Sequence, residues 1–147
     1  MKRIKRLLSI SLLLFLVVMV SACSKNYNSI TYKRFQEKMG DELNYAITDK
    51  TLTYEDIYQR YYSAINNDII FTFYELKDED SAKDFVEKNY NKRKYYSYKS
   101  KDNYSEVKST KTGYFRLIQV DNIIISASSE KSSDKSEINK AFEKLGY

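Results

Sequence analysis

Residues 114–128, YFRLIQVDNIIISAS, decide how this chain folds. Two runs of β-branched and aromatic residues, 114–120 and 123–128, flank the pair Asp121-Asn122. Runs of this length and composition are typical of strands, and the Asp-Asn pair favours a tight two-residue turn. Because such a turn joins antiparallel neighbours, the stretch predicts a β-hairpin and therefore an antiparallel sheet.

Other strands are predicted upstream of this hairpin. Residues 69–74, IIFTFY, are short, β-branched and aromatic, which makes them the strongest strand signal in the chain. The turn-forming triplet 66–68, NND, separates them from a weaker strand at 57–65. Residues 45–48 form a short strand, and 95–107 are expected to be an exposed strand with a loop.

Three segments carry apolar residues at helical spacing: 30–39, the segment after Asp78 and the segment after Asp134. Asp78 is an N-cap residue, and Asp134 with Glu137 has the spacing of a capping box. Glycines 40 and 146 are natural stops for the first and last helix. The three apolar stripes are Tyr32, Phe35 and Met39; Ala82, Phe85, Val86 and Tyr90; and Ile138, Ala141, Phe142 and Leu145.

These elements predict an α+β fold in the order α-β-β-β-α-β-β-β-α, with an antiparallel sheet and helices packed mainly on one face. An internal duplication is a candidate feature, because Tyr61 and Tyr114, like Ile65 and Ile118, are 53 positions apart. The predicted core consists of Phe35, Met39, Ile69, Phe71, Phe73, Phe85, Val86, Leu117, Ile123, Ile125, Ile138, Phe142 and Leu145.

The first 22 residues have the pattern of an export signal. Four basic residues precede an apolar run from Leu7 to Val20. That run is shorter than the roughly 20 apolar residues that a spanning helix needs. It ends in Val20-Ser21-Ala22-Cys23, which resembles a bacterial lipobox.

The lipobox resemblance implies that a diacylglyceryl group is attached to Cys23 after cleavage between Ala22 and Cys23. Cys23 is the one cysteine of the chain and stands at the position where the lipobox needs it. The alternatives are an ordinary signal peptide with a chance cysteine, an uncleaved anchor, or pairing of Cys23 between molecules. The predicted organisation is a removed signal peptide at 1–22, a lipidated cysteine with a short tether at 23–29, and a single domain at 30–147.

Composition excludes several classes of chemistry. The chain of 147 residues has no His, Pro or Trp, one Cys, and a net charge of +5. Without His there is neither a Ser-His-Asp triad nor an imidazole ligand, so no catalytic triad, metal or cofactor is predicted. Loss of residues 1–22 lowers the net charge to +1, so the basic balance does not predict binding to nucleic acid.

The chain resembles the small secreted lipoproteins of low-GC Gram-positive bacteria. The resemblance rests on the lipobox, on the bias toward Lys, Asn, Ile and Tyr, on the opening helix TYKRFQEKM and on the closing LGY. It implies a protein of the cell membrane, held by lipid on the extracytoplasmic face. It implies no reaction.

The strongest candidate site is the basic-aromatic stretch Asn91–Tyr104, in which tyrosines alternate with cations. Such a surface suits an anionic polymer: lipid headgroups, teichoic acid or, least favoured because of the export signal, a single-stranded nucleic acid. The expected partners are therefore an anionic polymer or an envelope protein, and not nucleic acid. The competing interpretation is a solvated edge strand whose lysines prevent aggregation. We expect a cationic rim at the helix end, facing the anionic membrane. The candidate residues are Lys92, Arg93, Lys94, Lys99 and Lys101.

Carboxylates supply the alternative sites. The run from Glu75 to Glu87 is better explained by helix capping than by a calcium loop, because the loop glycine is missing. Asp49, Glu55 and Asp56 could form a pair of the kind that cleaves glycosides. The 15 tyrosines could line a groove, but core and edge packing also accounts for them.

The sequence thus predicts a membrane-anchored extracytoplasmic module that binds rather than catalyses. A cell-wall hydrolase that uses carboxylates is the alternative, and a protective lipoprotein that acts by occupying the surface is a third interpretation. The ligand, the partner and the oligomeric state do not follow from the sequence.

Overall fold

The computed structural model describes residues 27–147; the predicted signal peptide, its cleavage site and Cys23 lie outside this range. Helix α1 spans Tyr32–Gln36 and continues as a π-helix over Glu37–Glu42. The strands are β1 Ala46–Asp49, β2 Arg60–Asn66, β3 Ile69–Glu75, β4 Ser97–Lys101, β5 Tyr104–Ser109, β6 Tyr114–Val120 and β7 Ile123–Ser129. Helix α2 spans Glu79–Tyr90 between β3 and β4, helix α3 spans Lys135–Leu145, and short 3₁₀ turns occupy Thr51–Thr53 and Ser132–Asp134.

The strands form one antiparallel sheet in the order β1-β2-β3-β7-β6-β5-β4. The predicted hairpin is β6–β7, and it turns at Asp121-Asn122 with Asp121 at a φ of 52°. The Asn67-Asp68 and Asp102-Asn103 turns also begin on a residue with positive φ, a conformation that Asn and Asp tolerate better than most residues. The residues of these three turns therefore suit the antiparallel pairing of the strands that they connect.

Strand alternation gives the sheet two apolar faces. The first carries Phe71, Phe73 and Ile125 and is covered by α1, the π-helix and α3. The second carries Leu117, Ile124 and Val107 and is covered by α2 through Ala82 and Val86. We call these the two-helix face and the one-helix face.

The predicted α+β class with an antiparallel sheet is confirmed, and two of the three helices in the described range lie on one face. One strand was missed, because residues 97–109 form a hairpin and not a single strand with a loop. The first helix also passes through Gly40 and ends at Glu42. The predicted core is buried except for Phe85, which is half-buried at the rim of the one-helix face.

The candidate duplication does not relate equivalent positions. Tyr61 lies on the one-helix face, where its ring stacks on Tyr74, whereas Tyr114 belongs to the core of the two-helix face. Residues that are 53 positions apart therefore lie on opposite faces of the sheet, as neighbouring residues of a strand do.

None of the helices among residues 27–147 has the length and apolarity needed to span a membrane.

Candidate binding surface

The two ends of the sheet carry different turns. One end has the Asp102-Asn103 and Asp121-Asn122 turns, and the other has the Asn67-Asp68 turn and the loop that contains Lys111. We call them the anchor end and the distal end. A strand of seven residues separates them by about 20 Å.

Tyr27 joins the domain at the anchor end. Its ring stacks on Tyr104 with centroids 4.2 Å apart and lies 6.2 Å from the ring of Tyr147. The Asn103 side chain donates a hydrogen bond to the Tyr27 carbonyl at 3.3 Å, and the Tyr147 hydroxyl donates to the Asn28 carbonyl at 3.1 Å. Part of the predicted tether is therefore docked on the domain surface, which the polar sequence 24–29 did not indicate.

Helix α2 runs from the anchor end to the distal end. It starts beside the Asp121-Asn122 turn, where the Leu76 amide donates to the Asn122 carbonyl at 2.9 Å. The predicted cap is present, since the Asp78 carboxylate accepts from the Ser81 amide at 2.8 Å and this bond lowers the pKa of Asp78. The helix finishes at the distal end, where Tyr90 stacks on Phe115 with centroids 5.5 Å apart.

The loop Asn91–Tyr96, which we call the basic loop, therefore projects from the distal end. Lys92 has a φ of 59° and Tyr95 a φ of 148°, both unusual for residues other than glycine. The Tyr95 ring is 53 % exposed and lies under two ammonium groups, 5.4 Å from Lys94 Nζ and 4.0 Å from Lys111 Nζ. Strained backbone of this kind collects at ligand-binding loops, and here it holds an exposed ring among cations.

The five predicted cations fall into two groups. Lys92, Arg93 and Lys94 lie in the basic loop, and Lys111, which the sequence analysis did not single out, approaches the Tyr95 ring from the loop between β5 and β6. Lys99 and Lys101 lie on the edge strand β4 opposite Glu106 and Tyr104, so they belong to the two-helix face. The structure therefore brings three of the five together and separates the other two, as β-strand alternation requires.

A pocket of about 320 Å³ opens next to the basic loop. Its apolar surface comes from Ile70, Phe115 and Tyr96, and the Tyr96 ring stands at 90° to Phe115 with centroids 5.9 Å apart. We call it the distal pocket. The remaining lining consists of hydroxyl and carboxylate residues: Asp68, Ser109, Thr112, Tyr114, Ser128, Ser129 and Glu130.

A second, acidic depression of about 360 Å³ lies on the other side of the ion pair between Asp68 and Lys131. Asp134 and Glu137 line it, but they do not form the predicted capping box. The Asp134 carboxylate accepts from the Ser129 hydroxyl at 2.6 Å instead. Glu137 accepts from the Tyr45 hydroxyl at 3.4 Å, and burial together with this carboxylate raises the pKa of Tyr45.

The three carboxylates chosen from the sequence do not form a site. Asp49 accepts from the Thr51 amide at 2.8 Å, and bonding to Thr51 lowers its pKa, which suits a structural carboxylate rather than a general acid. Glu55 and Asp56 stand in an exposed turn, and none of the three lines the distal pocket or the acidic depression.

A buried ion pair lies beneath α3 and escaped the sequence analysis. The Arg116 Nη2 atom is 3.0 Å from Glu106 Oε1, with the two side chains 11 % and 12 % exposed. Arg116 Nη1 also donates to the Asn139 side chain at 3.1 Å, and the guanidinium lies 4.6 Å from the Phe142 ring centroid. Each polar group has a partner inside the domain, so this cluster is structural.

Within residues 27–147 no three His, Cys, Asp or Glu side chains converge as metal ligands would. Comparison with known proteins finds no matching family model, no similar curated protein and no similar solved structure, and hence no catalytic relative.

Proposed function

We propose that this protein is a lipid-anchored extracytoplasmic lipoprotein whose domain is a non-catalytic module that binds an anionic polymer of the cell envelope. The observation that carries the proposal is the docking of Tyr27 at the anchor end, opposite the basic loop.

The docked segment limits where the lipid can lie. Cys23 precedes Tyr27 by four residues, which span at most about 14 Å. A lipid on Cys23 therefore holds the anchor end near the membrane and directs the distal end outward. This geometry favours a ligand in the envelope over the membrane headgroups that the cationic rim was expected to face.

The basic loop has the charge that an anionic polymer needs. Lys92, Arg93, Lys94 and Lys111 are exposed, and none forms an ion pair with a carboxylate of the described chain. Their charge is thus available to a ligand, and it is screened by salt over roughly 10 Å at 0.1 M ionic strength. Tyr95 adds a ring against which the ligand can pack.

The carboxylate hydrolase has less support. Of the carboxylates around the acidic depression, Asp68 pairs with Lys131, Asp134 accepts from Ser129, and Glu137 accepts from Tyr45. These contacts explain the acidic cluster as a set of links between β7, α3 and the Asn67-Asp68 turn.

The anchor is tested with labelled palmitate in a Gram-positive host. The wild-type chain should incorporate the label and remain in the membrane fraction, and Cys23→Ser should abolish both. Equal labelling of Cys23→Ser would overturn the lipid anchor.

The ligand class is tested with poly(glycerol phosphate) and the lipidated protein in detergent micelles. Binding should weaken as salt rises, and Lys92→Gln/Arg93→Gln/Lys94→Gln should remove most of it. The matched control is Lys50→Gln/Lys77→Gln/Lys101→Gln, which removes the same charge outside the basic loop and should retain binding. Equal loss in both variants would contradict a specific site, and no binding by the wild type would refute the proposed ligand.

A further inference from the structure

We propose that the distal pocket is a carbohydrate subsite that takes a neutral sugar unit, one or two pyranose rings long. The inference rests on the proposed function only for its location in the envelope. The chemistry comes from the pocket itself, whose lining includes Tyr96 of the basic loop but none of the cations of that loop.

The pocket presents apolar and hydroxyl groups in alternation. Across the sheet, Ile70 pairs with Ser128, Ser128 with Phe115, and Phe115 with Ser109. Neighbouring strands lie about 4.8 Å apart, so the row extends over roughly 14 Å. A pyranose ring has C–H faces that pack on apolar side chains and hydroxyl edges that need hydrogen-bond partners, and this row supplies both.

Tyr96 forms an aromatic wall of the pocket. Its ring is 37 % exposed and is held upright by edge contacts with Phe115 and Tyr90, at centroid distances of 5.9 and 5.2 Å. A ring held in this way contributes contact area without losing much side-chain freedom on binding. Ile70, 41 % exposed, forms the apolar surface on β3.

The charges around the pocket favour a neutral ligand. Asp68 and Glu130 are on its rim, and the ammonium group of Lys131 pairs with Asp68. Glu130 therefore opposes an anion inside the pocket, even though the basic loop next to it attracts one. A polymer that carries both phosphate and sugar would satisfy the two surfaces at once.

The sheet disfavours a peptide as the occupant. The strands β3, β7, β6 and β5 that line the pocket each pair with neighbours on both sides. They offer no free edge to which a peptide could add as another strand. The pocket must therefore recognise its ligand through side chains. Hydroxyl groups beside flat apolar surfaces are suited to binding a sugar.

The test titrates the full-length lipidated protein in detergent micelles with di-N-acetylchitobiose, cellobiose and maltose, followed by the NMR signals of Tyr96 and Ile70. At least one disaccharide should bind saturably in the millimolar range, which corresponds to about −4 kcal/mol. Ile70→Ser should weaken binding about tenfold. The matched control is Ile65→Ser, because Ile65 is also 41 % exposed and pairs directly with Ile70 but does not line the pocket.

A second pair of variants guards against a folding defect in Ile70→Ser. Tyr96→Ala should also weaken binding about tenfold, whereas Tyr54→Ala, which removes a tyrosine that is 41 % exposed in the loop between β1 and β2, should not. The proposal is overturned if none of the three sugars binds by about 10 mM, if Ile70→Ser and Ile65→Ser behave alike, or if a neutral tetra-alanine peptide binds the pocket and the sugars do not.

The same variants separate this proposal from the proposed function. Lys92→Gln/Arg93→Gln/Lys94→Gln should lose poly(glycerol phosphate) and keep the disaccharide, since the cations do not line the pocket. Ile70→Ser should do the reverse. A wild-type protein that binds one ligand and not the other refutes only the assignment of the ligand that it does not bind, and a variant that loses both ligands contradicts two separate sites.

Discussion

The ring of Tyr27 stacks on the ring of Tyr104 at a centroid distance of 4.2 Å and an interplanar angle of 16°. This contact joins the start of the described chain to the first residue of β5. It converts a segment that reads as a flexible tether into a strap across the anchor end of the sheet.

We expect Tyr27→Ala to free the strap while the core stays folded. The lost aromatic pair is worth about 0.5–1.5 kcal/mol of unfolding free energy beyond its buried area. Hydrogen exchange should accelerate at residues 28–30 and stay unchanged in β3 and β7. Tyr54→Ala is the control, and equal exchange in both variants would show that Tyr27 is not docked.

Arg116→Met should destabilise the domain by up to about 3 kcal/mol, because Glu106 would lose one of its two cationic partners and keep only Lys108, at 2.9 Å. The double variant Arg116→Met/Glu106→Met removes both charges and should lose less than the single variant. Urea unfolding measures both free energies. A double variant less stable than the single one would contradict the ion-pair account.

The two helix phenylalanines should differ in their contributions. Phe142 is fully buried on the inner face of α3, so Phe142→Ala should lower the unfolding free energy by about 3–5 kcal/mol. Phe85 is half-buried at the edge of α2, so Phe85→Ala should cost clearly less. Equal losses in urea unfolding would contradict the difference in burial between the two rings.

Alkaline pH should destabilise the fold. Burial raises the pKa of Tyr61, Tyr90 and Tyr147 to about 12, above the value near 10 of an unfolded chain. The unfolded state therefore loses these protons first, and stability that is complete below about pH 10 declines as pH rises toward 12. As the pH rises, the urea midpoint should fall over the same range in which the tyrosinate absorbance rises. Tyr90→Phe should make the fall of the urea midpoint with pH shallower.

Local patterns predicted much of the fold because they depend on neighbours in the chain. The Asp121-Asn122 hairpin, the Asp78 cap and the stop at Gly146 each involve residues within a few positions of one another. Asp134 shows where a helix pattern taken alone fails. The capping-box spacing predicts that its carboxylate bonds within α3, but it accepts instead from the buried Ser129 hydroxyl, five residues upstream at the end of β7.

The candidate site was predicted only in part for a related reason. A run of basic and aromatic letters from 91 to 104 looks continuous in the sequence. The chain leaves α2, turns through the strained basic loop and enters an edge strand, so Lys94 and Lys99 lie on different surfaces. Lys111 lies in the loop between β5 and β6 and Ile70 lies on β3, and no spacing in the sequence connects either residue to Tyr95 or Tyr96.

The sequence by itself determined the antiparallel α+β class, the positions of the helices and most of the core, because periodicity, turn residues and caps act over a few residues. Only the tertiary structure decided which end of the sheet meets Tyr27, which cations share a surface, and that Arg116 meets Glu106 beneath α3. Those outcomes depend on strand order and register. Both are set when the two faces of the sheet pack against their helices, and neither produces a regular spacing of residues in the sequence.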